Sequence, residues 1–160
     1  MASTETTVSL TFPESTLKGV LRDGKEFVLD PVRKSFVRLT PEEWVRQNAL
    51  VFLIEKVKVP PGLIGVETSL TFNGMKRRAD IVVFDRSARP LIVVECKSPD
   101  VRIDQSVFDQ VGRYNREIRA PYVVVTNGET HFCLAVNFRE QSYRFLPELP
   151  DYEELLGSLS

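Results

Sequence analysis

The stretch Leu91-Ile-Val-Val-Glu-Cys-Lys97 constrains this chain more than any other. Four apolar residues in a row, three of them β-branched, suit a strand covered on both faces rather than one with a wet side. Such a strand needs a layer above it and a layer below. Two charged residues close the run. Successive strand side chains alternate, so Glu95 and Lys97 share one face and Cys96 takes the other, in the core. Asp80 likewise interrupts an otherwise apolar run from Ala79 to Phe84. A lone buried charge costs several kcal/mol, so each of the three needs an ionic partner or a metal.

The rest of the chain supplies the layers. Residues 7–12 alternate like a strand and stop at Pro13, and residues 17–29 read as a hairpin turning at Asp23-Gly24. A further strand is expected over Ser35–Leu39. Thr40-Pro41-Glu42-Glu43 then announces a helix: threonine caps, proline suits the first helical position, and Glu43 sits where a capping box needs it. That helix is predicted to run to about Val57, ahead of Pro60-Pro61-Gly62. Strands follow at 64–72 and 76–84 across Asn73-Gly74, with a turn over 86–90 before the central run. A helix over 104–119 carries Val107, Val111, Tyr114 and Ile118 on one stripe. Strands at 122–126, 130–136 and 143–145 come next, then a short helix over 152–156 stopping at Gly157.

This order predicts an α/β (α+β) fold, a mixed central β-sheet flanked by helices with an N-terminal β-hairpin extension. The expected organisation is one domain: residues 1–39 as the β extension, 40–146 as the core, and 147–160 as a tail with a short helix.

Composition narrows the chemistry. A chain of 160 residues with 42% hydrophobic content can build a core without disulfide or metal support. The longest apolar run, Ala49 to Ile54, is six residues, too short to span a membrane, and the N-terminus lacks a signal pattern. No membrane partner is expected, and a cytoplasmic setting is. Cys96 and Cys133 lie in apolar strands and read as reduced, buried thiols. A single histidine, His131, rules out a Cys/His zinc cluster. Carboxylates, lysine and a hard cation remain. Net charge is −1, yet Lys76 to Arg119 holds ten basic and seven acidic residues, a local excess of +3 that can face a polyanion.

Two carboxylates at a strand end offer hard oxygen ligands for Mg2+, and a neighbouring lysine can act on the attacking water. The same residues read equally well as an ion pair, Lys97 with Glu95 or Asp80. The string Arg78-Ala79-Asp80, followed by Glu95-Cys96-Lys97, resembles the PD-(D/E)xK nuclease signature. More narrowly, the chain is similar to the N-terminal nuclease domain of type I restriction enzyme R subunits. Thr40-Pro41-Glu42-Glu43-Trp44-Val45-Arg46-Gln47, Arg77-Arg78-Ala79-Asp80, Glu95-Cys96-Lys97-Ser98-Pro99 and Val124-Val125-Thr126-Asn127-Gly128 match that group. Gln110 with Tyr114 resembles the extra motif of RecB-type members. Alanine stands where the signature has proline before Asp80. Those subunits also carry a helicase motor, which 160 residues cannot hold, so translocation is not expected of this chain.

The resemblance implies a restriction-endonuclease-like fold. It implies Mg2+ (or Mn2+) held by Asp80, Glu95 and the Cys96 backbone carbonyl, with Lys97 acting on water and Gln110 and Tyr114 in support. Tyr114 reads equally as core and Gln110 as a helix flank. Glu43 is explained by capping, yet with Gln47 it lies on the inward stripe, so it stays as an additional acid at the site. Arg46, Arg77, Arg78, Arg113 and Arg116 are the phosphate-contact candidates. DNA is the expected partner, with other restriction or repair subunits supplied by separate chains. The rival expectations are a catalytically silent module that binds DNA or docks a protein, and an enzyme using Lys97 on a small molecule.

Overall fold

The computed structural model describes residues 17, 19–72 and 74–159. The strand expected over 7–12 therefore lies outside the described residues, as does Asn73 of the second hairpin. Three strands come first: β1 (Gly19–Arg22), β2 (Lys25–Leu29) and β3 (Phe36–Arg38). Helix α1 (Pro41–Glu55) and a 3₁₀ turn at Pro61–Leu63 lead to β4 (Ile64–Phe72), β5 (Met75–Phe84) and β6 (Pro90–Cys96). Helix α2 (Gln105–Ile118) is followed by β7 (Tyr122–Thr126), β8 (His131–Asn137), β9 (Ser142–Phe145) and helix α3 (Tyr152–Gly157).

The first three strands form an antiparallel sheet, and the other six form a mixed sheet in sequence order from β4 to β9. Only the β6–β7 pair is parallel, because α2 carries the chain back across the sheet between them. At the β1–β2 turn both Asp23 and Gly24 have positive φ, 52° and 76°, as a two-residue hairpin of this sequence requires.

The continuous apolar runs are explained by layering. Ile81, Val83, Ile92, Val94 and Val124 pack with Val45, Leu50 and Leu53 of α1 and with Tyr152 and Leu155 of α3. Their strand neighbours Val82 and Val93 meet Ile118 of α2, and Val123 and Val125 meet Val107, Phe108 and Val111. The fold is thus a mixed α/β sheet with α1 and α3 on one face and α2 on the other. Each fully buried Val, Ile or Leu in it contributes about 1.5–3 kcal/mol.

One local expectation is half met. Thr40 Oγ1 accepts from the Glu43 backbone N–H at 3.1 Å, so the cap forms. The Glu43 carboxylate, however, accepts from Arg33, Arg46 and Gln47 rather than completing a capping box. Three nearby donors outcompete one backbone amide, and the helix start becomes part of a charged network.

Candidate active site at the open end of the central strands

β5 and β6 pair from Val83↔Ile92 to Ile81↔Val94, and that is where their ladder stops on this side. The β4–β5 ladder also skips a step here: Val66 pairs with Ile81 and Thr68 with Ala79, leaving Asp80 unpaired between them. Asp80 thus lies across from Glu67 with no ladder partner on β4, and just beyond the end of the ladder with β6. Its side chain takes over part of the ladder's work, Oδ2 accepting from the Cys96 backbone N–H at 2.8 Å. β6 stays anchored on its other edge, where the Lys97 N–H donates to the Thr126 carbonyl at 2.9 Å. The end of the β5–β6 ladder leaves room for charged heads between strands that are otherwise closed.

Three charged heads converge there. Lys97 Nζ is 3.2 Å from Glu95 Oε1, and Tyr114 of α2 donates its hydroxyl to Glu95 Oε2 at 2.9 Å. Asp80 Oδ1 accepts from Arg46 Nη2 of α1 at 2.9 Å. Asp80, Glu95 and Lys97 border one cavity of about 240 Å³, together with Arg46, Arg78 and Glu67. Burial pushes the Glu95 carboxyl above its ordinary value, and the Asp80 charge pushes it further; Lys97 and Tyr114 oppose this without cancelling it. Burial and the Glu95 charge raise the Tyr114 phenol, keeping it a hydrogen-bond donor. Burial raises the Cys96 thiol, and Cys96 lies in the core on the opposite face, 1% exposed.

Behind the cavity runs a buried ionic network. Arg46, 6% exposed, pairs with Glu42, Glu43 and Asp80 and lies 3.6 Å from Glu67. Burial opposes its charge, but the Asp80 and Glu43 carboxylates outweigh that and hold it firmly protonated. Glu43 in turn pairs with Arg33, which Asp30 fixes with a 2.8 Å bond to Nε. Asp30 is fully buried and also accepts from Gln47 at 2.8 Å and from the Val32 and Arg33 amides.

Chemically, the corner offers two hard carboxylates whose proximity a cation relieves, in a space several times the ~30 Å³ share of one water. Each carboxylate oxygen accepts one bond and retains a second acceptor site. Among the described residues no three His, Cys, Asp or Glu side chains gather as a ready-made metal cage. Asp80 and Glu95 could hold a hard ion such as Mg2+ only if water or substrate completed its shell.

The other expected residues are scattered. Arg78 borders the cavity, exposed, with Nη2 3.0 Å from Glu67. Arg77 stands on β5 across from Leu70, and its side chain lies outside the described part. Arg46 is no exposed phosphate contact, because four carboxylates claim its guanidinium. Gln110 is exposed on α2 and does not border the cavity. Arg113 and Arg116 line a separate groove of about 700 Å³ between α2 and β8–β9, on a different side of the helix from Tyr114. Glu43 is buried in the ionic network rather than bordering the cavity. His131 bonds Thr126 through Nδ1 at 2.6 Å and does not border the cavity. Sequence reasoning passed over Asp30, Arg33, Glu42 and Glu67. Asp30 and Arg33 sit in a loop with no periodic signal, and Glu67 occupies a strand position whose left-handed φ of 49° no local pattern announces.

Residues 41–150 match the family described as the Type I restriction enzyme R protein N terminus (HSDR_N). The chain belongs to this family. Among solved structures, it is similar to a fragment described as an HsdR subunit of a type I restriction enzyme from Vibrio vulnificus YJ016. The TM-score is 0.55 at 21% identity, covering 76% of this chain and 25% of the other. That likeness shows the fold, and the chain spans about a quarter of the length of the protein it matches. No curated protein matches it. Within the R-protein N-terminal family frame, all the residues from Arg46 to Tyr114 that converge on the cavity fall inside the matched region.

Proposed function

We propose that this R-protein N-terminal domain is a Mg2+-dependent nuclease that hydrolyses phosphodiester bonds of DNA, acting alongside restriction subunits on other chains. The observation that supports it is the end of the β5–β6 ladder just before Asp80, where Asp80, Glu95 and Lys97 border one open cavity. Asp80 and Glu95 would hold the ion, with the Cys96 carbonyl as a third donor from the same strand end. Bound there, Mg2+ would polarise a phosphoryl oxygen and lower the pKa of its water.

The chain's own groups do the rest. Lys97, rooted in the β6–β7 ladder by its backbone, places an ammonium beside Glu95 to orient the attacking water and offset charge growing on phosphorus. Tyr114 keeps the Glu95 carboxylate turned toward the cavity, and Arg46 with the Cys96 amide does the same for Asp80. Arg78, exposed at the rim, meets a flanking phosphate.

A second reading, a silent module for DNA binding or docking, is favoured by the fact that all four carboxylate oxygens of Asp80 and Glu95 already meet a protein donor. Plasmid nicking with Mg2+ or Mn2+ separates the two. Wild type is expected to cut, and Asp80→Ala and Lys97→Ala to fail. Equal cutting by all three, or salt-sensitive binding with no cutting by wild type, overturns the nuclease reading.

A further inference from the structure

Glu67 has a left-handed backbone inside strand β4. It lies directly across from Asp80 in the constant β4–β5 register, at the skipped step, with φ of 49°. That left-handed twist turns the next residue back on the strand: a Cβ on Gly65 would come within 2.3 Å of Thr68 Oγ1. In regular strand geometry residues three apart face opposite ways, so Gly65 is there because the twist brings Thr68 over it. A glutamate pays this conformational cost at a place where glycine or asparagine would avoid it.

The twist sets the Glu67 carboxylate among arginines. Arg78 Nη2 is 3.0 Å from it, Arg33 Nη1 3.5 Å and Arg46 Nη2 3.6 Å. The Glu67 side chain is 34% exposed and that of Arg78 66%, so this end of the cluster is open to solvent. Both residues border the cavity that holds Asp80, Glu95 and Lys97. A carboxylate and a phosphodiester present arginine with the same pair of anionic oxygens.

We infer that Glu67 is a built-in stand-in for phosphate: it occupies Arg78, at the open end of a cluster whose Arg33 and Arg46 already hold other carboxylates, until a phosphate group displaces it, and so sets how tightly the site holds its anionic substrate. A phosphate taken up by Arg78 then lies beside Asp80, Glu95 and Lys97. That the phosphate belongs to DNA rests on the nuclease reading; the exchange of anions at the arginines does not.

The test is binding in EDTA, where no cleavage intervenes, to a DNA duplex and to inorganic pyrophosphate. The chains are wild type, Glu67→Gln, Glu67→Gly, and each variant combined with Arg78→Gln. Glu67→Gln keeps the shape and removes the charge, while Glu67→Gly also relieves the left-handed backbone. Both are expected to bind either probe about two- to fivefold more tightly, the span a single exposed ion pair can account for. The log–log salt dependence of DNA binding should steepen by up to about one charge. Adding Arg78→Gln should remove the gain.

Unchanged or weaker binding of both probes by Glu67→Gln overturns the inference, since Glu67 would then merely hold the arginines in place. A gain in Glu67→Gly alone also overturns it, because backbone relief would be the cause. So does a gain that survives Arg78→Gln. A gain for pyrophosphate in chains that never bind DNA supports the exchange and sinks the DNA reading instead.

Discussion

Each end of the β5–β6 hairpin carries an aspartate, and the two are held in opposite ways. At the closed end Asp85 folds over its own turn. Its Oδ1 accepts from the Ser87 and Arg89 amides at 2.8 and 2.9 Å, and its Oδ2 from Arg89 Nε at 3.1 Å. Those bonds, led by the Arg89 amide and only partly opposed by burial, hold its carboxyl below the ordinary value. At the open end Asp80 and Glu95 face each other across a parted ladder, and Glu95 is pushed up. Backbone amides two and four residues away stabilise an acid at little conformational cost. Long side chains from two helices, holding two acids together, leave net opposition in place. One end is held by its own turn, and the other keeps two acids in opposition, which the proposed cation would relieve.

The comparison breaks first on activity. Asp80→Ala should lower metal-dependent cleavage more than about a hundredfold, beyond the ~10–100-fold that removal of an outer hydrogen-bond partner such as the Tyr114 hydroxyl (Tyr114→Phe) should cost. Asp85→Ala should leave the rate unchanged. Initial rates of plasmid nicking decide this, and a rate loss in Asp85→Ala equal to that in Asp80→Ala would erase the distinction between the two ends.

Stability should show the reverse ranking. Asp85→Ala strips two backbone amides of their acceptor and should cost about 1–2 kcal/mol, as loss of a cap does. For a chain of this size that is about 2–4 °C of melting temperature per kcal/mol. Cation binding should act only at the open end. Mn2+ at ten times its dissociation constant adds about 1.4 kcal/mol through mass action. The rise should persist in Asp85→Ala and vanish in Glu95→Ala, and a melting curve indifferent to Mn2+ in wild type would count against a metal at Asp80 and Glu95.

Much of this contrast was legible in residue order. The apolar run before Glu95 announced a strand buried on both faces, and Ile92, Val93 and Val94 alternate between the α1 and α2 layers as that requires. Asp23-Gly24 fixed its turn, and Thr40 capped its helix. What spacing could not show is how far a side chain reaches across layers. Tyr114 shares a helical stripe with Val111, and period alone makes it core; only the position of α2 over β6 puts its hydroxyl on Glu95. Arg113 and Arg116 looked equivalent to Arg78 as surface cations, yet they lie about 100° and 200° round α2 from Tyr114 and line another groove. Arg33 lies ten residues before Glu43, in a loop without period, and joins it only once the β2–β3 loop meets α1. The left-handed turn at Glu67 has no sequence signature, because the tertiary contacts of its carboxylate, rather than local preference, hold it there.

The smallest expected effect is the sharpest test of sign. Glu95 in the folded chain has its pKa raised from an ordinary value near 4.5, so the fold holds that proton more tightly than the unfolded chain does. Below about 4.5 the group is protonated in both states and contributes nothing. As pH rises through the window up to the raised value, the unfolded chain releases its proton first, and folding stability falls. Above the window the loss is complete. Asp85 runs the other way: its lowered carboxyl contributes stability above its ordinary value near 3.8 and loses it as pH falls through the folded value. Glu95→Gln keeps the hydrogen-bond acceptor and removes the charge. In EDTA its melting temperature should match wild type at pH 4 and exceed it by a growing margin up to neutral pH, while Asp85→Asn should fall below wild type at neutral pH and converge with it in acid. A Glu95→Gln chain that melts lower than wild type at pH 7 would mean that the Lys97 and Tyr114 contacts outweigh burial and the Asp80 charge, and that the open end is stable in its own right rather than held ready for a cation.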